Sequence, residues 1–538
     1  MRMPSVMRGS SRFARVPQIS TPRSSFNLSH GHKTTFDVGY VIPVFHTEVL
    51  PGDTFNVKMT AFARLSTPVK PLMDNLYLDS HFFFVPYRLI WPNFVKFMGE
   101  QEDPGDSISY TVPQKNVPNA GFNAGTVQDY LGVPTGVGDA VTGWTLSALP
   151  FRAYAKIWNE WFRDQNLQDG LSHENASGVS WDPDDGPDGN AGANGDPVRY
   201  RGKRHDYFTS CLPWAQKGDA STIPLETDSS KIELTGRSSA TDGEMRIDAA
   251  AGTGTEPLYA YSGAGNWSNS ETLTWKDPSL EMNINEMREG IAIQKLLERD
   301  ARSGTRYPEK IMAHFGVEDP LMAVLQRPEY LGGGSAPIHI NPVVQTSASA
   351  TGGAVDVDTE QGNIAATGTM VASDHGFVKS FTEHGIVLGM VSVRNDLNYQ
   401  DGLERFWSRS TMYDFYFPVF AHLGEMAVLN KEICLEDAAT DEDAFGYQER
   451  WSEYKYKKSY ITGEFRSTHA QTLEVWHLAD DFSGGCPSLD SSFIVVDPDI
   501  DRNLASTTNH HILFDSYFEV IAARPMPMYS IPGNMDRF

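Results

Sequence analysis

Cysteine is nearly absent: Cys211, Cys434 and Cys486 stand far apart in 538 residues, odd in number and without a CxxC pair. That argues against a disulfide-stapled secreted scaffold and reads as reduced, mostly buried thiols of a protein made in cytoplasm. The glycosylation sequons at Asn27, Asn175 and Asn266 then carry no weight. No run approaches the ~18–20 apolar residues of a membrane span. The N-terminal text MRMPSVMRGSSRFARVP has charge but no apolar centre, so it is not a secretory signal. Positive charge is scarce as well: 44 Lys and Arg face 69 Asp and Glu, a formal net charge of -25. Nucleic-acid binding over most of the surface is thereby excluded.

Motifs that carry chemistry are missing too. There is no GxxxxGK[ST], HExxH, GxSxG or dinucleotide-binding glycine fingerprint. Asp182, Asp184, Asp185, Asp188 and Asp196 could contact Ca²⁺, but the loop lacks the closing bidentate Glu of an EF-hand. It reads as a solvated acidic loop, as does the cluster Asp437, Asp441, Glu442 and Asp443. His30-Gly31-His32 and His510-His511 lack metal partners at a recognisable spacing and read as surface or interface histidines. No catalytic residue, metal ligand or cofactor is assigned. Paired carboxylates for glycosidase chemistry stay open, because their spacing is set in space and not along the chain. A carbohydrate-binding or glycan-cleaving β-sandwich is therefore the alternative to keep.

What is present is a large, turn-rich globular chain of 59.7 kDa with 46 Gly, 32 Pro and 11% aromatic residues. Its charge is uneven. Met1 to Phe36 carries Arg2, Arg8, Arg12, Arg15, Arg23 and Lys33 and no acid, which predicts an extended basic arm on an acidic body. Val38, Tyr40, Ile42 and Val44 alternate, then Phe55, Val57, Met59 and Ala61, with the turn Pro51-Gly52-Asp53 between them. Leu76, Leu78 and Phe82-Phe83-Phe84-Val85 leave no polar face, so this strand must be covered on both sides. Trp91, Phe94, Phe97 and Met98 follow at helical spacing.

Pro104 to Gly143 reads as a long surface excursion, and Pro150 starts a helix with the stripe Phe151, Tyr154, Ile157, Trp158, Trp161 and Phe162. Ser172 to Pro197 cannot build a core and is expected in solvent. Pro224 to Asp277 is a polar segment dotted with Tyr259, Tyr261, Trp267 and Trp275, too long to be a plain connection. Asn283 with Glu286 caps a further helix that runs to Arg302, before Gly304. Ile338 and Ile340, Ile386 to Val393, Tyr454 to Phe465, Phe493 to Val496 and Ile512 to Ile521 favour strand. Strands bracket the chain while helices and loops interrupt its middle. One mainly-β sandwich with large insertions explains this best.

Several long strings carry a resemblance. PLMDNLYLDSHFFFVPYRLIWPNFVKFMGE from Pro71, KRHDYFTSCLPWAQKG from Lys203, LERDARSGTRYPEKIMAHFGVEDPLMAVLQRPEYLGG from Leu297, RNDLNYQDGLERFWSRSTMYDFYFPVFAHLGEMAVLNKEI from Arg394 and the terminal ARPMPMYSIPGNMDRF look like the major capsid protein of gokushovirus-type Microviridae, phages with circular single-stranded DNA. The resemblance implies an eight-stranded jelly roll as one domain over residues 37–538, behind a basic arm at 1–36. It further implies a homo-oligomer of sixty copies in a T=1 icosahedral shell, and a surface insertion forming three-fold spikes that contact a host receptor. We place the insertion at about 224–277. Tyr259, Tyr261 and Trp267 are its candidate host contacts, or else they pack within the spike and against its neighbours. Arg2, Arg8, Arg12, Arg15 and Arg23 are the candidate DNA contacts, or else the arm docks on a neighbouring subunit. Six arm charges per copy would offset only about a tenth of a few thousand phosphates, so a small basic DNA-packaging protein is expected. An internal scaffolding protein, assembly in the bacterial cytoplasm and a final place in the virion belong to the same expectation. The C-terminal string, rich in Pro and Met, is expected to lie extended over a neighbour with Phe538 buried.

Overall fold

The computed structural model describes residues 22–138, 144–171, 185–219, 226–227, 280–281, 284–317, 326–346 and 362–529, less positions 191, 193, 305 and 483. Nine strands make its frame: β1 Ser24–Asn27, β2 His30–Phe36, β3 Tyr40–Val49, β4 Thr54–Leu65, β5 Leu76–Pro86, β6 Glu329–Val344, β7 Ile364–Ser380, β8 Gly385–Asn395 and β9 Ile512–Arg524. Alternation decides where they bury. In β4, Phe55, Val57, Met59, Ala61, Ala63 and Leu65 are buried while Lys58, Thr60, Phe62 and Arg64 face out. In β8 all eleven residues are buried, as a strand without a polar face requires.

All pairings are antiparallel, in the order β1–β9–β4–β7–β6–β5–β8–β3, with β2 also on β9. Strand β6 belongs to both halves: Glu329–Ile338 pairs with β5, and His339–Val344 with β7. The strands therefore fall into two sheets, β2–β9–β4–β7 and β3–β8–β5–β6, which is the interlocked order of a jelly roll. The main core lies between them and takes Phe55 and Met59 from one sheet and Phe82, Phe84 and Val391 from the other. The turn between β2 and β3 needs Gly39, at φ +91°, because a Cβ there would sit 1.9 Å from the Val496 carbonyl oxygen.

A second core covers the outer face of the β3–β8–β5–β6 sheet. Helix α1, Leu149–Ile157, lays Phe151, Tyr154 and Ile157 against Phe83, Val85, Ile386 and Leu388. Here the solvent-loop expectations fail. The excursion after Pro104 buries Phe122, Val127, Tyr130 and Leu131. The acidic stretch returns inward as well, two of its carboxylates neutralised by buried cations and a third held by neutral N–H donors. Asp188 accepts from fully buried Arg152 at 2.8 Å, Asp196 pairs with Lys115 at 2.8 Å, and Asp185 accepts from Trp91 Nε1 at 2.7 Å. Asp182 and Asp184 lie outside the described residues.

The stretch between β8 and β9 folds a third cluster from Tyr399, Val428, Ile433, Phe445 and Phe493, joined by Tyr207 and Phe208. Two strand expectations are overturned there. Tyr454 to Phe465 and Phe493 to Val496 form turns and single bridges, not ladders. Their aromatic and branched side chains mimic a strand, but their backbone makes only isolated bonds, such as Ile461 N–H to the Tyr399 carbonyl and Val496 N–H to Arg201. The cysteine expectation is corrected too: Cys434 and Cys486, 52 positions apart, form a disulfide with Cα atoms 5.5 Å apart. Cys211 is free and buried, and burial raises its thiol pKa.

The expectation of an extended arm over 1–36 does not hold within its described part, at residues 24–36. From Ser24 the chain is already in β1 and β2, paired along β9, because Phe26, Thr34 and Phe36 alternate with polar neighbours well enough to finish the sheet. The chain divides into two compact units, Gln216–Arg299 and the remainder. In the smaller unit Glu226–Thr227 pairs antiparallel with Leu280–Glu281, and helix α2, Ile284–Arg302, runs within it as far as Arg299.

Candidate assembly and nucleic-acid surfaces

Among the described residues the outer face of the β2–β9–β4–β7 sheet has no covering helix. Pairing register sets out its rows. Lys33, Asp515, Phe62 and Val371 lie side by side, as do Leu513, Arg64 and Thr369, and Glu519 with Lys58. Phe62, Tyr517 and Ile521 are each about half exposed, at 48%, 50% and 53%. Lys33 pairs with Asp515 at 3.4 Å and Lys58 with Asp374 at 3.9 Å. On a strongly acidic chain this face is thus balanced in charge and apolar at its centre. A surface of that kind suits contact with another macromolecule more than isolation in water.

Of the candidate DNA and host contacts, Arg23 alone is described. It sits at the end of this face and donates to Thr54 Oγ1 at 2.7 Å and to the Ala523 carbonyl at 3.3 Å. Its guanidinium ties the chain to β4 and β9. Arg2, Arg8, Arg12 and Arg15 lie outside the described residues, as do Tyr259, Tyr261, Trp267 and Phe538. Within the 224–277 segment only Glu226–Thr227 is described, and it pairs with Leu280–Glu281 just past it.

The histidine motifs make packing and hydrogen-bond contacts within the fold. His30 packs on the touching pair Phe45 and Phe518, with centroids 5.8 and 5.5 Å away. Burial first, then His30, lowers the pKa of His32. His510 and His511 both bond Asp37. In the second acidic cluster Asp441 accepts from the Glu436 and Ala438 backbone N–H groups, closing a local turn. Cys434, Glu436 and Cys486 come close enough to share an ion, but the two sulfurs are bonded to each other.

Carboxylates for glycan cleavage would be sought in the cavity of about 540 Å³ that holds Glu404, Glu432 and Glu453. Burial raises the Glu432 pKa against the pull of Arg405. Its oxygens are nonetheless taken by Arg405 at 2.9 Å, Tyr207 OH at 2.9 Å and Leu429 N–H at 3.1 Å. Glu404 is held by Lys457 at 2.6 Å and Glu453 by Arg409 at 3.4 Å. Each of the three acids is thus ion-paired, with Glu453 Oε2 left buried and without a partner.

Comparison with known proteins decides the class. The family model described as Capsid protein (F protein) matches residues 14–534. This chain belongs to that capsid family. Within it, the capsid subunit is 41% identical to Capsid protein VP1 of Bdellovibrio phage phiMH2K, over 98% of both chains. It is 38% identical to Capsid protein VP1 of Chlamydia phage 1, over 99% of this chain and 98% of that one. With Capsid protein VP1 of Spiroplasma virus 4 the identity is 35%, over 95% of each. The gokushovirus-type resemblance read from the sequence is borne out. The open sheet face of this capsid subunit was legible in one signal that sequence reading used only for burial: the outward positions of β4, namely Lys58, Thr60, Phe62 and Arg64.

Proposed function

We propose that sixty copies of this capsid subunit close into a T=1 icosahedral shell around circular single-stranded DNA. The observation that carries the reading is the match of the whole jelly roll, from residue 14 to 534, to a capsid family. In this reading the jelly roll, strands β1 and β2 included, acts as one capsid domain through residue 538, and the segment at about 224–277 stands out as a three-fold spike. Tyr259, Tyr261 and Trp267 contact the host receptor there. Arg2, Arg8, Arg12, Arg15 and Arg23 lie on DNA phosphates, and a small basic protein supplies the remaining charge. An internal scaffolding protein guides closure in the bacterial cytoplasm, and the subunit ends in the virion with no enzymatic step of its own. Each contact can be weak, because every copy makes several and closure sums them.

Electron microscopy of the full-length chain tests this, with and without single-stranded DNA and with co-expressed scaffold and basic partners. Uniform closed particles with surface knobs are expected, and deletion of residues 230–275 should remove the knobs. A monomer of ~60 kDa under every one of these conditions would overturn the proposal.

A further inference from the structure

A second cavity, of about 720 Å³, opens in the larger unit beside β5, β6, the end of α1 and the strip 201–205. Its lining inverts the charge of the whole protein. Arg163, Arg201, Lys203, Arg204 and Arg306 face only Asp164 and Glu309. Both acids are already engaged: Asp164 accepts from the backbone of Asn166 and Leu167, and Glu309 from Arg306. Arg201 is held by Asp79 at 2.7 Å and Lys203 by Asp480 at 3.0 Å. Arg163 donates to the Gln168 carbonyl, and Arg204 lies exposed at the rim.

Two further observations point to a ligand. Three buried nitrogens of lining residues, His81 Nε2, Arg163 Nε and Arg201 Nε, have no hydrogen-bond partner. The two arginine nitrogens are donors without acceptors, and buried polar atoms of any kind without partners are uncommon, since each costs about 1–3 kcal/mol. Beside them stands an aromatic wall. Trp161 lies 5.4 Å from Phe83 and 6.0 Å from Tyr330, and it and Tyr330 remain 37% and 45% exposed. Cations with unfilled donors call for an oxygen-rich anion, and exposed flat rings call for another flat ring. Cavities of roughly 300–1,000 Å³ suit a ligand of that size.

We propose that this cavity binds a nucleotide, with its phosphate among Arg163, Arg201 and Arg204 and its base against Trp161 and Tyr330. The nucleotide is either one unit of a packaged strand or a free mononucleotide. Only the first source rests on the shell reading; the chemistry of the site does not.

Equilibrium dialysis of the purified full-length chain against dTMP, inorganic phosphate and a ten-residue oligo-dT at 50 mM salt tests it. Thermal melting of each variant confirms that it is folded. Arg204→Glu, on an exposed side chain, should weaken dTMP binding at least about tenfold, and Trp161→Leu by about five- to fiftyfold. Phosphate should bind more weakly than dTMP. Oligo-dT that competes for dTMP and loses affinity in Arg204→Glu identifies the strand as the source, and dTMP binding alone identifies the free nucleotide. Absence of any dTMP or oligo-dT binding by the folded wild type overturns the proposal. So does binding that both variants leave intact, or phosphate that binds as well as dTMP. Failure of shell formation with dTMP binding intact would remove the shell reading and leave this site standing.

Discussion

The two sheets of this capsid subunit share a core and differ on their outer faces. One, β3–β8–β5–β6, is buried twice, by its partner sheet and by the layer around α1. The other, β2–β9–β4–β7, is buried once and shows Phe62, Tyr517, Leu513 and Ile521 to the outside. Their sequences record the difference. Strand β5 buries both its apolar run Phe82–Val85 and the polar Asp79 and Ser80, whereas β4 reads as a strict alternation. Burial on two sides leaves no room for a polar face, whereas burial on one side leaves every second position free to serve an outside contact. Stability should therefore concentrate in the doubly covered sheet and association on the open one.

The largest effect should come from breaking the covering layer. Arg152→Met leaves Asp188 buried without its cation, and a loss of about 3–5 kcal/mol in urea unfolding is expected. Adding Asp188→Asn should return a good part of it, which a simple packing defect would not allow. Phe83→Ala, at a 1% exposed position between Trp161, Phe162 and Tyr330, should lose a comparable ~3–5 kcal/mol.

Next comes pH. Burial, helped by Arg201, holds the His81 pKa down to about 4 on this same sheet. Unfolded chain takes the proton at about 6.5, so the stabilisation is complete above that pH and is lost as pH falls toward 4. Unfolding measured at pH 7 and pH 4.5 should show that loss, and His81→Gln should flatten it by an amount on the order of 2–3 kcal/mol. An unchanged pH slope in the variant would mean that His81 is protonated in the fold.

The smallest stability effects belong to the open face. Phe62→Ala and Lys33→Ala, the latter breaking an exposed ion pair, should each stay within about 0.5 kcal/mol. If this face meets DNA or a neighbour, Phe62→Asp should reduce particle yield in sucrose gradients while the isolated chain melts as the wild type does. Equal losses of stability on both faces would dissolve the contrast between the sheets.

Local pattern by itself determined the frame of this protein. Alternation in Phe55–Ala61, the run Phe82–Val85 and the stripe Phe151–Phe162 each reached the element they implied, because period is a property of neighbouring residues. The strings shared with phage coat proteins indicated the class. Tertiary structure decided the rest. Asp185, Asp188 and Asp196 read as solvent text, yet buried cations from elsewhere in the chain hold two of them in the core and the Trp91 indole binds the third. Ser24–Phe36 read as an arm until β9, some 480 residues on, supplied its pairing partner. Cys434 met Cys486, and Tyr454–Phe465 lost its ladder to turns. The cationic cavity also had no linear signature, since His81, Trp161, Arg204 and Arg306 converge from four separate stretches. Burial of charge, pairing across hundreds of residues and convergence on a cavity are set by which distant groups meet, and local periodicity carries no record of that.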